Sequence, residues 1–417
     1  MTATVDGYDK ADLLALAERF VCPDRVRFLT SAGIDLVIGR RQGYRIWDMD
    51  GKELIDLHLN GGVYNLGHRN PEVVAALVEA LGSLDIGNHH FPSAQRALLA
   101  QDLVTATPGM RYAVFASGGG EAIDLAIKSA RRATGKTVVV SASNAYHGHT
   151  GLALAVGDEA AAAAFVSTGT PGEFRRVPFN DPAALEQALV GKDVAAVILE
   201  TVPATEGFVP PEPGYLAEVR RLCDRSGALY IADEVQTGLG RTGELWGVNH
   251  FGVVPDILVT AKGMSGGIYP IAATLLSEAA GGWLESDGWS HISTFGGAEL
   301  GCVVARKVLA ITAAQATQDN VSALIGQWGQ GLAALAAKHP NWVIDVRQTG
   351  LCVGVGFNHE AGGMLMTRLL YDEGVWAMFA GFDRRYLQVK PGLLLSADDT
   401  AFALAAFDRA CQKAAAL

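Results

Sequence analysis

The chain has 417 residues, 49% of them hydrophobic and 18% charged, a balance that favours a compact globular protein with one large and one smaller domain over a disordered chain. With 33 lysines and arginines against 44 aspartates and glutamates, the net charge is −11 and no five like charges run together; nucleic acid and anionic membrane are therefore unexpected partners. Five cysteines, Cys22, Cys223, Cys302, Cys352 and Cys411, form no CxxC pair, so neither a metal site nor a disulfide framework is suggested, and a cytoplasmic location fits.

In chain order, the first segment, MTATVDGYDKADLLALAERF, places acidic groups ahead of a short apolar periodicity. A signal peptide needs a basic start, so an amphipathic surface helix is expected. No apolar stretch is long enough for a membrane span. GYRIWDMDGKELIDL carries a hairpin signal with Asp-Gly at its turn. Short β-rich runs then alternate with helical patterns: 111–116, 137–141, 194–200, 228–234 and 256–261. That alternation predicts an α/β fold with a mostly parallel central sheet covered by helices. Within 120–134, Ile123, Ala126, Ile127 and Ala130 follow the helical period and should face that sheet. After about residue 305 the pattern changes to long helices, the strand-like GLCVGVGF and a final helix from about 398. The expected division is a large domain over 56–305 and a smaller α+β domain over 306–417, joined by residues 1–55.

Three stretches carry chemistry. FASGGGEAID, 115–124, reads as a strand, three glycines and a helix. Gly118, Gly119 and Gly120 allow close backbone approach, and the free N–H groups of a helix start suit a phosphate, although a plain turn explains the glycines as well. PDILVTAKGMSGGIYPIAA sets Lys262 just after an apolar strand. Loss of hydration there lowers an amine's pKa and makes it a nucleophile for a carbonyl; the alternative is a lysine that reaches solvent. ALYIADE ends a buried strand in Asp233, either a structural ion pair or a charge held for reaction. Together the phosphate seat, the strand-end lysine and the strand-end carboxylate match the three groups that pyridoxal phosphate requires.

The motifs YIADEVQTGLGRTG, TAKGMSGGIYPIAA, FASGGGEAID, AYHGHT and STFGGAELGC, with NGGVYNLGHRNPEVVAAL ahead of them, resemble in order those of the class III aminotransferases, fold-type I pyridoxal phosphate enzymes. The resemblance runs from about residue 45 to about 400. It implies that Lys262 carries the cofactor as a Schiff base and afterwards moves the substrate proton. Asp233 would bind the ring nitrogen, Val235 and Tyr146 would pack on its two faces, and Gln236 would reach its phenolic oxygen. The backbone of Gly118, Gly119 and Gly120 would hold the phosphate, aided by Thr294 from a neighbouring subunit, so a homodimer with shared sites is implied. His147 joins the cofactor-binding set as a hydrogen bonder rather than a proton carrier, and Glu200 matches a family glutamate without an assigned role.

The sequence also departs from the family pattern. Where members that bind amino acids often carry a carboxylate-clamping arginine, YLQVKPGLLLS has Gln388, with Lys390 nearby and Gly392 in place of a second proline. Ser117 and the three glycines replace a hydroxyl-richer phosphate loop, and Glu299 stands where proline is common. The missing clamp points to an amine donor without the usual α-carboxylate, such as an ω-amine or an amino sugar, unless Arg384 or Arg385 supplies one. The expected reaction is ping-pong transamination between small-molecule amine and carbonyl substrates. A lyase, a racemase or epimerase on the same scaffold, and an inert binding protein are the rival readings. His89 and His90 are expected at the surface or in a substrate channel, Arg241 in a structural role, and Trp376, Phe379 and Phe382 as pocket-lining candidates.

Overall fold

The computed structural model describes residues 5–415, and among these the strands fall into three sheets. The first strands are β1 (Ile38–Gln42), β2 (Arg45–Asp48) and β3 (Glu53–Asp56). The middle of the chain supplies β4 (Tyr112–Ala116), β5 (Val138–Ala142), β6 (Phe174–Val177), β7 (Val194–Glu200), β8 (Leu229–Asp233), β9 (Ile257–Thr260) and β10 (Ala272–Leu276). The last are β11 (Val343–Thr349), β12 (Cys352–Phe357), β13 (Val375–Trp376), β14 (Met378–Phe379) and β15 (Tyr386–Val389).

The central sheet has the order β4-β10-β9-β8-β7-β5-β6. The pairs from β9 through β6 are parallel, and β10 alone runs antiparallel to both its neighbours. All seven residues of β7 are buried, as a strand covered on both faces by helices requires. β6 and β10 were not anticipated. β6, FRRV, carries two arginines, and β10 follows a Gly-Gly and Pro270 that read as loop, so neither had a clear β pattern.

The helix expected over 120–134 spans Gly119–Thr134 and buries Ile123, Ala126, Ile127 and Ala130, ending at Gly135 in the left-handed conformation. It starts directly after β4. Since Ala116 pairs with Ala272, and Ala273 with Thr260, the ends of β4 and β9 lie at one edge of the sheet. Glu200 pairs with Asp233 and Asp233 with Val259, which brings the ends of β7 and β8 to that same edge. A ligand in a parallel α/β sheet sits outside such carboxyl ends.

The expected hairpin forms as antiparallel β2 and β3. β3 is then joined in parallel by β13, so chain from before residue 57 and after residue 374 shares a sheet. β11-β12-β15-β14 make the third sheet. The last helix spans Ala397–Ala414 and buries Phe407 against Trp328 of the long helix Gln315–Lys338, in a cluster that also holds Ile55, Leu57 and Val355. The helix near the N-terminus, Lys10–Phe20, opens with an Asp9–Asp12 capping box and buries no residue, as an element on the surface does. Among the described residues no single helix is long and apolar enough to cross a membrane.

Candidate active site

A cavity of about 580 Å³ opens at the edge where β4, β7, β8 and β9 end. Its lining includes Gly118, Gly119, Gly120, Tyr146, His147, Glu200, Asp233, Val235, Gln236 and Lys262, which is every expected site residue except Thr294.

Lys262 follows β9 by two residues and opens a turn of 3-10 helix with φ of 42°, a left-handed value that is uncommon outside glycine and concentrates at functional sites. Across from it Leu59, Asn60, Gly61 and Gly62 also take positive φ in succession. A methyl group added to Gly61 would stand 3.3 Å from the Lys262 amine, so that glycine keeps the space over the nucleophile open. Burial lowers the amine's pKa, with Asp233 and Glu200 partly offsetting the effect. Among the described residues its Nζ takes part in no ion pair.

Asp233 closes β8 and is 4% exposed. One carboxylate oxygen accepts from the Val235 backbone N–H at 3.0 Å, and the other lies 2.8 Å from His147 Nδ1. His147 is therefore a support behind Asp233 as well as a lining residue, and its Nε2 is buried without a partner. Tyr146, 39% exposed, borders the cavity, and burial followed by repulsion from Glu200 and Asp233 raises its phenol pKa.

Glu200 ends β7 and accepts from the Tyr146 and Ala204 backbone N–H groups at 3.0 and 3.3 Å. Burial pushes its carboxyl up to about 7; His147 opposes the rise and Asp233 adds to it.

At the other end of the cavity the helix Gly119–Thr134 begins with Gly118 as its cap, presenting unpaired N–H groups. A methyl on Gly120 would lie 2.7 Å from Thr150 Oγ1, so a side chain there has no room. Ser117 does not offer its hydroxyl to this seat, because it donates at 2.6 Å to Glu121. Gln236 has a buried Oε1 with no hydrogen-bond partner. An orphaned amide, a carboxylate, an amine and a helix start around one cavity fit an aromatic aldehyde that carries a phosphate, a phenolic oxygen and a ring nitrogen.

Thr294 is exposed and absent from this lining. The helix that follows begins at Glu299 with Ala298 as its cap. His89 and His90 line a separate recess with Trp289, His291 and Arg96. Arg241 is fully buried and donates to the Leu351 and Pro391 carbonyls and to Asn65, a structural clasp.

The aromatic candidates do not line the cavity: Trp376 packs with Ile34, Ile46 and Leu54, Phe379 pairs with Leu387 in the third sheet and contacts Phe28, and Phe382 is 37% exposed. Gln388 and Lys390 also stand outside it. Arg385 is held by Asp383, and Arg384 is not among the lining residues. Among the lining residues that sequence reasoning passed over, Ile268, Tyr269 and Pro270 come directly after the Gly-Gly that follows Lys262. Their nearness to the lysine was the available signal.

Residues 30–411 match the family model described as Aminotransferase class-III. An aminotransferase of Archaeoglobus fulgidus, described as uncharacterized, is 47% identical over 93% of this chain and 90% of its own length. A putrescine aminotransferase of Pectobacterium atrosepticum is 34% identical over 85% of this chain and 77% of its own. Among solved structures, an ornithine aminotransferase from Toxoplasma gondii with partial occupancy of pyridoxal phosphate at its active site superposes with a TM-score of 0.86 at 27% identity, over 97% of this chain and 94% of the other.

Proposed function

This chain belongs to the class III aminotransferases, and from that membership we propose how its own residues carry the reaction. It is a pyridoxal phosphate-dependent enzyme of fold-type I that moves an amino group from an amine donor to a carbonyl acceptor. When bound, the cofactor supplies an electron sink for the substrate carbon. Lys262 would anchor the cofactor through its aldehyde and would carry the substrate proton. Asp233, steadied by His147, would keep the ring nitrogen protonated. Val235 and Tyr146 would hold the ring between them, the Gln236 amide N–H group would donate to the phenolic oxygen, and Gly118, Gly119 and Gly120 would receive the phosphate at the helix start. The observation that carries this reading is that Lys262 and Asp233, from the ends of neighbouring strands, border one cavity with that helix start.

The donor we propose lacks an α-carboxylate, as an ω-amine or an amino sugar does. The support is that no arginine borders the cavity among the described residues, and Gln388 lies outside it. Thr294 serves the partner's site in a homodimer, a role supported by its exposure beside exposed Trp289, Ile292 and Phe295. The division into a large domain over 56–305 and a smaller one built from 1–55 and 306–417 is supported by the pairing of β13 with β3. A cytoplasmic location suits five free cysteines.

The test mixes purified holo-protein with amines alone and then with a keto acid. Bleaching of the cofactor's visible band by amine and its return with keto acid is the expected result, with ping-pong kinetics. Turnover without any keto acid would instead favour a lyase or an epimerase.

A further inference from the structure

A small cavity of about 170 Å³ lies between the helix Gly119–Thr134 and the segment that follows β10, and it shares no lining residue with the active-site cavity. The helix contributes Lys128, Ser129 and Arg132 to its wall, and the segment contributes Trp283, Ser290 and His291. Three of these side chains hold a buried polar atom with no hydrogen-bond partner: Ser129 Oγ, Trp283 Nε1 and His291 Nε2. Ser129 is 1% exposed. A hydroxyl inside a helix has a ready partner in the carbonyl four residues back, and Thr134 takes it, donating to Ala130 at 2.8 Å. Ser129 does not. An orphaned polar group at a cavity wall calls for a partner inside the cavity.

The chemistry of the wall decides which partner. His291 Nδ1 lies 3.2 Å from the Lys128 amine. An ammonium can only donate, so Nδ1 accepts and the neutral ring carries its proton on Nε2, the orphaned atom. Burial and then Lys128 lower the pKa of the ring, with Glu121 opposing, which favours that neutral form. Trp283 Nε1 also can only donate. The Ser290 hydroxyl is already used, accepting from Arg132 at 2.8 Å and donating to the Asp287 carbonyl at 3.0 Å. The nearby carboxylates do not line the cavity and are committed elsewhere, Asp287 to Arg132 and Glu121 to the Ser117 N–H and hydroxyl. With Arg132 offset by Asp287, Lys128 leaves a positive surplus. Water needs acceptors as well as donors, whereas this wall suits a ligand that only accepts.

We infer that this cavity binds a small monovalent anion of the chloride type, which accepts from Ser129 Oγ, Trp283 Nε1 and His291 Nε2 beside the charges of Lys128 and Arg132. The site stands apart from the proposed cofactor cavity and does not rest on the transaminase reading. Its place in the fold gives it a use. The helix begins at the proposed phosphate seat, and Thr294 comes shortly after His291 in the chain. The anion fastens the segment that carries Thr294 to that helix.

The test follows the NMR line width of chloride in the presence of holo-protein as sodium chloride replaces sodium gluconate at constant ionic strength, for wild type, Ser129→Ala and Trp283→Phe. Wild type should show a saturable excess line width. Each substitution deletes one hydrogen bond to a charged ligand, so the dissociation constant for chloride should weaken by about 10-fold or more, with the circular dichroism spectrum unchanged. An excess that does not saturate in wild type, or one whose dissociation constant stays within about twofold in both variants, overturns the inference. Should Trp283→Phe fail to fold, Ser129→Ala decides alone, because alanine suits a helix interior and the lost hydroxyl had no partner in the protein.

Discussion

Strands β8 and β15 each bring a polar side chain to the end of a buried run, with opposite outcomes. At β8, Asp233 meets the cavity with one side supported by His147 and the other by the Val235 N–H. At β15, Lys390 follows the strand and is 1% exposed, but it turns inward: its amine donates to Gln388 Oε1 at 2.6 Å and lies 3.4 Å from His58 Nδ1. One polar group is presented to the cavity, and the other is turned toward neutral groups of the protein itself. A buried ionisable group therefore does not mark a site unless a cavity meets it.

The comparison breaks most sharply at the cofactor end. Lys262→Ala removes the proposed covalent anchor and proton carrier, so transamination should fall by at least about 1,000-fold and the visible band of the holo-protein should vanish. A band that survives in this variant would place the attachment elsewhere. Asp233→Asn keeps the shape but removes the charge, and a loss of about 100-fold in kcat is expected, with the KM for amine changing less. His147→Ala removes the support behind Asp233 and should cost about tenfold, together with a shift in the pH profile of the band that a merely structural histidine would not produce.

That the proposed cofactor-binding residues stood out in the sequence and the rest of the cavity lining did not has a physical cause. Asp233, Lys262 and Gly118 to Gly120 sit at ends of regular elements, where an apolar run stopping in charge or glycine is visible in one sequence. Strands 194–200 and 228–234 were placed to within a residue because parallel strands buried on both faces read as continuous apolar runs. β10 escaped because its buried AATLL lies behind Gly267 and Pro270, whose local signal is a turn. Trp376 and Phe379 misled as pocket residues because large apolar side chains look alike whether they pack between sheets or face a ligand. The partner of Lys390 was invisible too, since Gln388 shares its strand face but His58 comes from the far end of the chain.

Glu200 gives a subtler contrast, in stability. Its carboxyl holds a proton up to about pH 7 in the folded state, while the unfolded chain releases it near the ordinary value of 4.5. The folded state thus binds more protons between those limits, so stability falls as pH rises from about 4.5 to about 7 and levels off above. The full effect is about 3 kcal/mol. Glu200→Gln lacks this penalty, and its unfolding midpoint relative to wild type should climb across that window. Parallel curves for the two proteins would mean that the carboxylate is not desolvated as described.

The smallest effect sharpens the β15 side. Burial, with repulsion from Arg241 and Lys262, holds the Lys390 amine well below its usual pKa, so charging it inside the fold is unfavourable. Lys390→Met removes that cost but leaves Gln388 Oε1 without its donor, and an unpaired buried acceptor costs about 1–3 kcal/mol. The gain and the loss should nearly cancel in the single variant. Replacing Gln388 by Leu as well removes the orphan, so the double variant should exceed Lys390→Met in stability by about 1–2 kcal/mol in urea unfolding. Because neither residue borders the cavity, monoamine turnover should stay within about threefold in both proteins. A rise of more than about tenfold in the KM for keto acid would mean that Lys390 swings into the cavity to meet the acceptor's carboxylate. The division between a presented and an absorbed charge would then fail.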